Sequence, residues 1–229
     1  MLGNLTLIVF CLIVSVAAAS AQQKKTTGAD AKPASQTPKK SNQRPAAKTP
    51  KGEPFDKASV ETMAAQCVRL ETEAGVIELE MFPESAPESV RNFLNLAATG
   101  AFDTTAFSRV VPKFVIQGGN LSTREKITPE LAARSRRTIP DEPSQIKHER
   151  GVLSMARPEE PNSASTHFFI LVSNAPSLDG KFAAFGRVTQ GMEVVDAINK
   201  MPVENEKPAK PVRVTRATVA PCPAKLSEK

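Results

Sequence analysis

Few side chains in this sequence are placed to do chemistry, and the most conspicuous is a single cation. Arg109 falls inside the run FSRVVPKFVIQGGN, residues 107–120. Phe107, Arg109 and Val111 alternate, Pro112 breaks the run, residues 114–116 are apolar again, and Gly118 and Gly119 follow. This pattern predicts two short strands with a corner between them and a close approach of backbone at the glycine pair. An arginine on an apolar sheet face is uncommon unless a polar group is presented to it. The plain alternative is a strand residue that snorkels into water. Held in a desolvated cleft, its chemistry would be charge-assisted hydrogen bonding.

The other candidates offer less. His148, in KHERG, reads as a structural hydrogen bond at the turn entering the next strand, and Ser163 and Ser165 belong to a turn. His167 has the type of a general base, yet no GxSxG nucleophile accompanies it. No CxxC or Cys/His cluster suggests a metal, and no motif calls for a cofactor.

The elements that must position these residues are legible in outline. Residues 67–72 and 76–82 are strand-like runs around Glu73-Ala74-Gly75, an opening hairpin. Ser85 followed by Glu88 resembles a capping box, and Val90, Phe93, Leu94 and Ala97 share one helical face before Gly100 supplies a stop. Strand runs follow at 151–156, 167–172, 182–188 and 212–220, with a short helix starting at Thr128-Pro129. A helix over 192–200 turns Val194, Val195 and Ile198 inward. Many short strands with two isolated helices predict a mainly β fold, a closed antiparallel barrel whose open ends are plugged by helices.

The chain has 229 residues, enough for one sizeable domain with appendages. Residues 5–19 are almost wholly apolar and end in Ala19-Ser20-Ala21, which reads as a secretory signal peptide over 1–21. An uncleaved membrane anchor is the alternative, since no Lys or Arg precedes the run. Residues 22–59 turn to Lys, Pro, Ala, Thr, Ser and Gln without hydrophobic period, the composition of a disordered linker. A folded domain over 60–223 and a tail over 224–229 complete the organisation.

Charge separates these parts. Of 30 basic and 24 acidic residues, nine and three lie in 1–58, leaving 21 of each beyond, so the whole net charge of +6 sits in the tether. A basic tether can touch anionic lipid or cell-envelope polymer; the simpler alternative is a solvated spacer. No aromatic residue of the tether precedes Phe55, so the stacking platform of single-stranded nucleic-acid binders is missing and nucleic acid is not expected as a partner. No heptad or spare apolar face calls for association, which points to a monomer.

Five segments in order, FSRVVPKFVIQGG, TIPDE (138–142), KHERGVLSMA (147–156), HFFIL (167–171) and LDGKFAAFGRV (178–188), resemble the motif series of the cyclophilin family of peptidyl-prolyl cis/trans isomerases. The resemblance runs from about residue 68 to 219 and implies an eight-stranded barrel with two capping helices. It also implies roles. Arg109 matches the family's catalytic arginine, Gln117 the glutamine that holds it and contacts substrate backbone, and Phe114, Phe169 and Leu178 the floor and walls of a proline pocket. Val115 matches a pocket-edge position, and Ala156 and Arg157 the strand end where the peptide backbone is held. In cyclophilin-like barrels the first and last strands are antiparallel neighbours, which would bring Cys67 and Cys222 together; a disulfide and two unrelated thiols both stay open.

Departures from the family pattern concern the same cleft. Phe182 stands where the family commonly has histidine, His167 where it commonly has glutamine, and Ser177 where eukaryotic members often have tryptophan, so strong cyclosporin binding is not expected. The family's glycine-rich segment is replaced by residues 121–137.

The resemblance makes the chemistry a bond rotation. An X-Pro amide has partial double-bond character, a barrier near 20 kcal/mol, and interconverts over tens of seconds. Twisting frees the proline nitrogen lone pair, which a positioned guanidinium can stabilise without nucleophile, metal or proton transfer. Bringing a hundred-second process to milliseconds requires about 7 kcal/mol. Two function classes follow: an isomerase assisting the folding of exported proteins, in a periplasmic or extracellular location, with proline-containing extended polypeptides as partners; or a tethered proline-peptide binding module with little turnover.

Overall fold

The structure is a computed structural model that describes residues 52–223. The expected signal peptide, most of the linker and the C-terminal tail lie outside the described residues. In chain order the elements are α1 (Val60–Ala64), β1 (Gln66–Thr72), β2 (Gly75–Met81), α2 (Pro87–Ala98), β3 (Arg109–Val111) and β4 (Val115–Gly118). There follow α3 (Pro129–Arg134), β5 (Val152–Met155), β6 (Phe168–Leu171), β7 (Ala184–Gln190), α4 (Met192–Asn199), β8 (Val203–Glu204), β9 (Lys207–Pro208) and β10 (Val214–Pro221). No helix among them is long and apolar enough to cross a membrane.

Eight strands form one curled antiparallel sheet in the order β10-β1-β2-β7-β5-β6-β4-β3. The outer strands β3 and β10 form no ladder together. Instead the segment before β3 meets the start of β10: Phe107 N donates to Val212 O at 2.9 Å, Val214 N to Thr105 O at 2.8 Å, and Ala106 bridges Arg213. These bonds link the segment before β3 to the start of β10, and the fold is the mainly β, eight-stranded antiparallel one expected. Cys67 and Cys222 are joined in a disulfide with Cα atoms 4.8 Å apart, tying β1 to the chain just past β10.

The pleat divides the sheet into two apolar faces. Alternate residues of β4 and β6, among them Ile116, Phe168 and Ile170, face the main core, where Phe93, Phe102, Phe107, Phe168 and Phe185 are fully buried. Phe93 packs tilted or edge-on against Phe102, Phe168 and Phe185 at 5.1–5.2 Å. Burying each such ring contributes about 1.5–3 kcal/mol. The intervening residues, Val115, Phe169 and Leu171, join Val152, Ala175 and Ala184 in a second cluster on the outer face.

Two expectations need correction. The capping box at Ser85 and Glu88 does not form: α2 begins at Pro87 with Ala86 at its N-cap and no side-chain cap of its own. Proline at the first turn moves the helix start one residue past the place where Ser85 could serve. Glu142, from the TIPDE segment, supplies the cap, accepting from Glu88 N at 2.9 Å and from Ser89 N and Ser89 Oγ at 2.7 Å. The boundary at residue 59 also falls late. Phe55 N donates to Asn95 Oδ1, Arg91 Nη1 donates to the carbonyls of Phe55 and Ala58, and Arg134 Nε reaches Glu53 Oε1 at 2.6 Å. Composition placed these residues in the linker, but Arg91 and Asn95 of α2 and Arg134 of α3 give them partners.

Candidate functional site

Register across four strands builds the site. Arg109 pairs with Gln117, Gln117 with Phe169, and Phe169 with Ser154, a row running β3-β4-β6-β5 on the outer face. Residues directly opposite on adjacent strands bring their side chains together. A cation, an amide and an aromatic ring thus become neighbours because the alternation that buries Val110, Ile116 and Phe168 turns Arg109, Gln117 and Phe169 the other way.

The corner carrying Phe114 is held from α4. Asn199 Oδ1 accepts from Lys113 N at 2.8 Å, and Asn199 Nδ2 donates to Val111 O and Val115 O at 2.9 and 3.0 Å. At the far end of β4, Gly119 adopts φ +81°, and a Cβ there would stand 2.1 Å from Thr166 O. Only glycine lets this backbone pass beside the loop entering β6.

The Arg109 guanidinium is gripped on two sides. Its Nε donates to Glu206 Oε2 at 2.7 Å and its Nη1 to Gln117 Oε1 at 3.1 Å. Gln117 Nε2 in turn lies 3.5 Å from His167 Nδ1. Burial holds the His167 pKa below its ordinary value, so the ring is neutral near pH 7 and able to accept from that amide.

The opposite wall is built around a second guanidinium. Arg157 lies 5.3 Å from the centroid of the Phe182 ring, which itself packs edge-on against Phe169 at 6.2 Å. Arg157 Nη1 donates to the carbonyls of Pro158 and Glu159 at 2.9 and 3.1 Å, and its Nε stands 3.2 Å from Asp141 Oδ1. The side chain at this position therefore winds the 158–160 loop around itself and braces Phe182. Ala156 N is bonded to His167 O at 3.0 Å.

Leu178 is set by a buried polar knot. His148 is 1% exposed, with Nδ1 3.2 Å from Asp179 Oδ1 and Nε2 3.2 Å from Ser154 Oγ, while its backbone N donates to Asp179 Oδ1 at 2.8 Å. Desolvation lowers the His148 pKa, partly offset by Asp179. Asp179 is held below the usual carboxylate range, first by the His148 backbone N–H. The knot fixes the turn carrying Leu178 from beneath.

All ten residues named from the sequence, Arg109, Phe114, Val115, Gln117, Ala156, Arg157, His167, Phe169, Leu178 and Phe182, line one cavity of about 580 Å³. Pro158 and the serines 135, 163 and 165 also line it. From sequence Ser163 and Ser165 read only as parts of a turn, and Ser135 comes from the segment after α3, which carries no motif. Glu206 was missed outright. It lies 97 positions from Arg109 and nothing local marks it.

The arrangement is an apolar hollow with a fixed cation at one edge. Each guanidinium has a carboxylate partner, Glu206 or Asp141. Among the described residues no group of three or more His, Cys, Asp or Glu side chains could hold a metal. Such a cleft can bind a small apolar ring and donate a hydrogen bond to a polar atom beside it; among the described residues no nucleophile and base are hydrogen-bonded to each other in its lining.

Comparison with known proteins agrees with this geometry. A family model described as cyclophilin type peptidyl-prolyl cis-trans isomerase/CLD matches residues 67–219. The chain is 37% identical over 158 residues to peptidyl-prolyl cis-trans isomerase cypE of Dictyostelium discoideum, covering 68% of this chain and 99% of that one. It is 36% identical over 162 residues to peptidyl-prolyl cis-trans isomerase A of Dickeya dadantii, covering 66% and 83%. A crystal structure of a cyclophilin type isomerase from Cryptosporidium parvum superposes with a TM-score of 0.61 at 29% identity, covering 69% of this chain and 99% of that one. A second structure of that protein, in the presence of the dipeptide Ala-Pro, gives a TM-score of 0.60 at 30% identity over 67% and 98%.

Proposed function

The chain belongs to the cyclophilin-type peptidyl-prolyl cis-trans isomerases and is an enzyme of that activity, and we propose that it works by Arg109-assisted twisting of the X-Pro amide. The observation that carries this reading is the Arg109–Gln117–Phe169 row, which puts a held guanidinium beside an apolar hollow. The proline ring enters the hollow between Phe114, Phe169, Leu178 and Phe182 and gains by leaving water. Gln117 orients Arg109 and meets the flanking peptide backbone. As the amide turns, its nitrogen loses conjugation with the carbonyl, and an N–H of Arg109 donates to that nitrogen. The donor is already placed, so little reorganisation opposes the step. That a relative was solved with Ala-Pro present supports a proline-containing peptide as the ligand.

The proposal extends to the setting: a bacterial protein, exported, acting as a monomer on unfolded polypeptides in a periplasmic or extracellular space, its basic tether reaching toward the cell envelope. The apolar run over 5–19 and the Cys67–Cys222 disulfide support an oxidising compartment. The deciding experiment is cis/trans exchange of an X-Pro peptide followed by NMR, with proline-limited refolding in parallel. Arg109→Ala is expected to lose about 100- to 1,000-fold in kcat, the usual effect of removing one preorganised donor. Equal rates for wild type and Arg109→Ala, with both still binding the peptide, would mean that Arg109 takes no part in turnover.

A further inference from the structure

Glu206 stands in a backbone conformation that its side chain does not favour. The strands β8 and β9 pair Val203 with Pro208 and Glu204 with Lys207, which leaves Asn205 and Glu206 as a two-residue turn. Both have positive φ, 49° and 64°. A turn of this geometry asks for Asn-Gly, because the second residue must also enter the left-handed region where a Cβ is crowded. Asparagine is present at the first position, but glutamate occupies the second. Strain of this kind persists where the surroundings over-determine it, and it gathers at functional sites.

The surroundings here are the cleft. Glu206 O accepts from Val110 N at 2.8 Å, which pins the turn beside β3 next to Arg109. The Glu206 carboxylate then receives Arg109 Nε at 2.7 Å. Arg109 has five N–H groups in a planar fork. Glu206 takes the Nε edge and Gln117 one Nη1 hydrogen, so the plane is defined by two bonds instead of one. Gln117 alone would let the guanidinium rotate about the chain that carries it.

Resting on the isomerase reading above, we propose that Glu206 is a positioning residue for the reaction: its carboxylate sets the plane of the Arg109 guanidinium, and a strained turn is kept for that contact. Opposite signs for stability and activity follow. Glu206→Gly relieves the turn and is expected to raise the urea midpoint. The same change is expected to lower kcat about three- to fivefold, the scale of an exposed ion pair, with KM within about twofold. Glu206→Gln, which keeps an acceptor oxygen, falls between. Because both side chains are partly exposed, the gap between wild type and Glu206→Gly narrows as salt is raised. In an Arg109→Ala background, Glu206→Gly changes kcat no further.

The experiment is exchange NMR on an X-Pro peptide for wild type, Glu206→Gly, Glu206→Gln, Arg109→Ala and the double variant, at low and high salt, with urea unfolding of each. Unchanged or higher kcat in a folded Glu206→Gly protein overturns the proposal. So does an equal loss when Arg109 is already absent. If instead Arg109→Ala matches wild type, the isomerase mechanism has failed, which is a separate result from failure of the Glu206 assignment.

Discussion

Phe182 occupies the place where the family commonly has a polar histidine, and its contacts predict how the cleft fails when the ring is removed. The ring packs edge-on against Phe169 at 6.2 Å and lies under the Arg157 guanidinium at 5.3 Å. Phe182→Ala strips a wall from the hollow but no donor from Arg109. A proline ring that loses about 40–60 Å² of contact forfeits roughly 1–1.5 kcal/mol at 25 cal/mol per Å². That is about five- to thirteenfold in KM, and kcat should stay within about threefold because, on the proposed mechanism, Arg109 still donates to the twisted amide. Arg157 adds a second arm. A cation above a partly exposed ring is worth about 0.5–1 kcal/mol, so Phe182→Ala and Arg157→Ala should couple by about that amount in a double-mutant cycle. Peptide exchange rates over a range of substrate concentrations separate KM from kcat for the four proteins. A tenfold fall in kcat at constant KM for Phe182→Ala, or two substitutions that add without coupling, would show that Phe182 is not a wall braced by Arg157.

Two further predictions concern the frame around the cleft. Glu142→Ala leaves Glu88 N, Ser89 N and the buried Ser89 hydroxyl without their acceptor, and it should cost about 3–4 kcal/mol in urea unfolding, with Glu142→Gln about half that; a loss under about 0.5 kcal/mol would mean that water replaces the cap. Acidification should also destabilise the domain. His148 and His167 both titrate below their ordinary 6.5 when folded, so the unfolded chain binds more protons, and stability present above 6.5 is lost as pH falls from there toward the folded values. His167→Gln should flatten part of that slope; a midpoint that rises between about pH 7 and 5.5 would contradict the burial of these rings.

Much of the site could be read from local pattern. The alternation of Phe107, Arg109 and Val111 and the glycine pair after Gln117 were enough to expect paired strands with a cation on one face, because side-chain direction in a strand repeats every two residues. The helix face of Val90, Phe93, Leu94 and Ala97 followed from its own period and is buried as expected. The motif order supplied the activity, which no single segment could have done. Local pattern also misled. Ser85 and Glu88 have the spacing of a cap, yet a carboxylate 53 and 54 positions away does the capping.

What the chain determined by itself is what depends on neighbours within a few residues: which stretches are strands, which side faces inward and where glycine must turn. Only the tertiary structure decided where the long polar side chains end. Arg109 has Glu206, Arg157 has Phe182 and Asp141, and α2 has Glu142. The reason is range. Backbone period acts through steric contacts along the chain, whereas a charge or hydrogen-bonding group selects whatever partner folding brings within about 3 Å, and that partner's position in sequence is unconstrained.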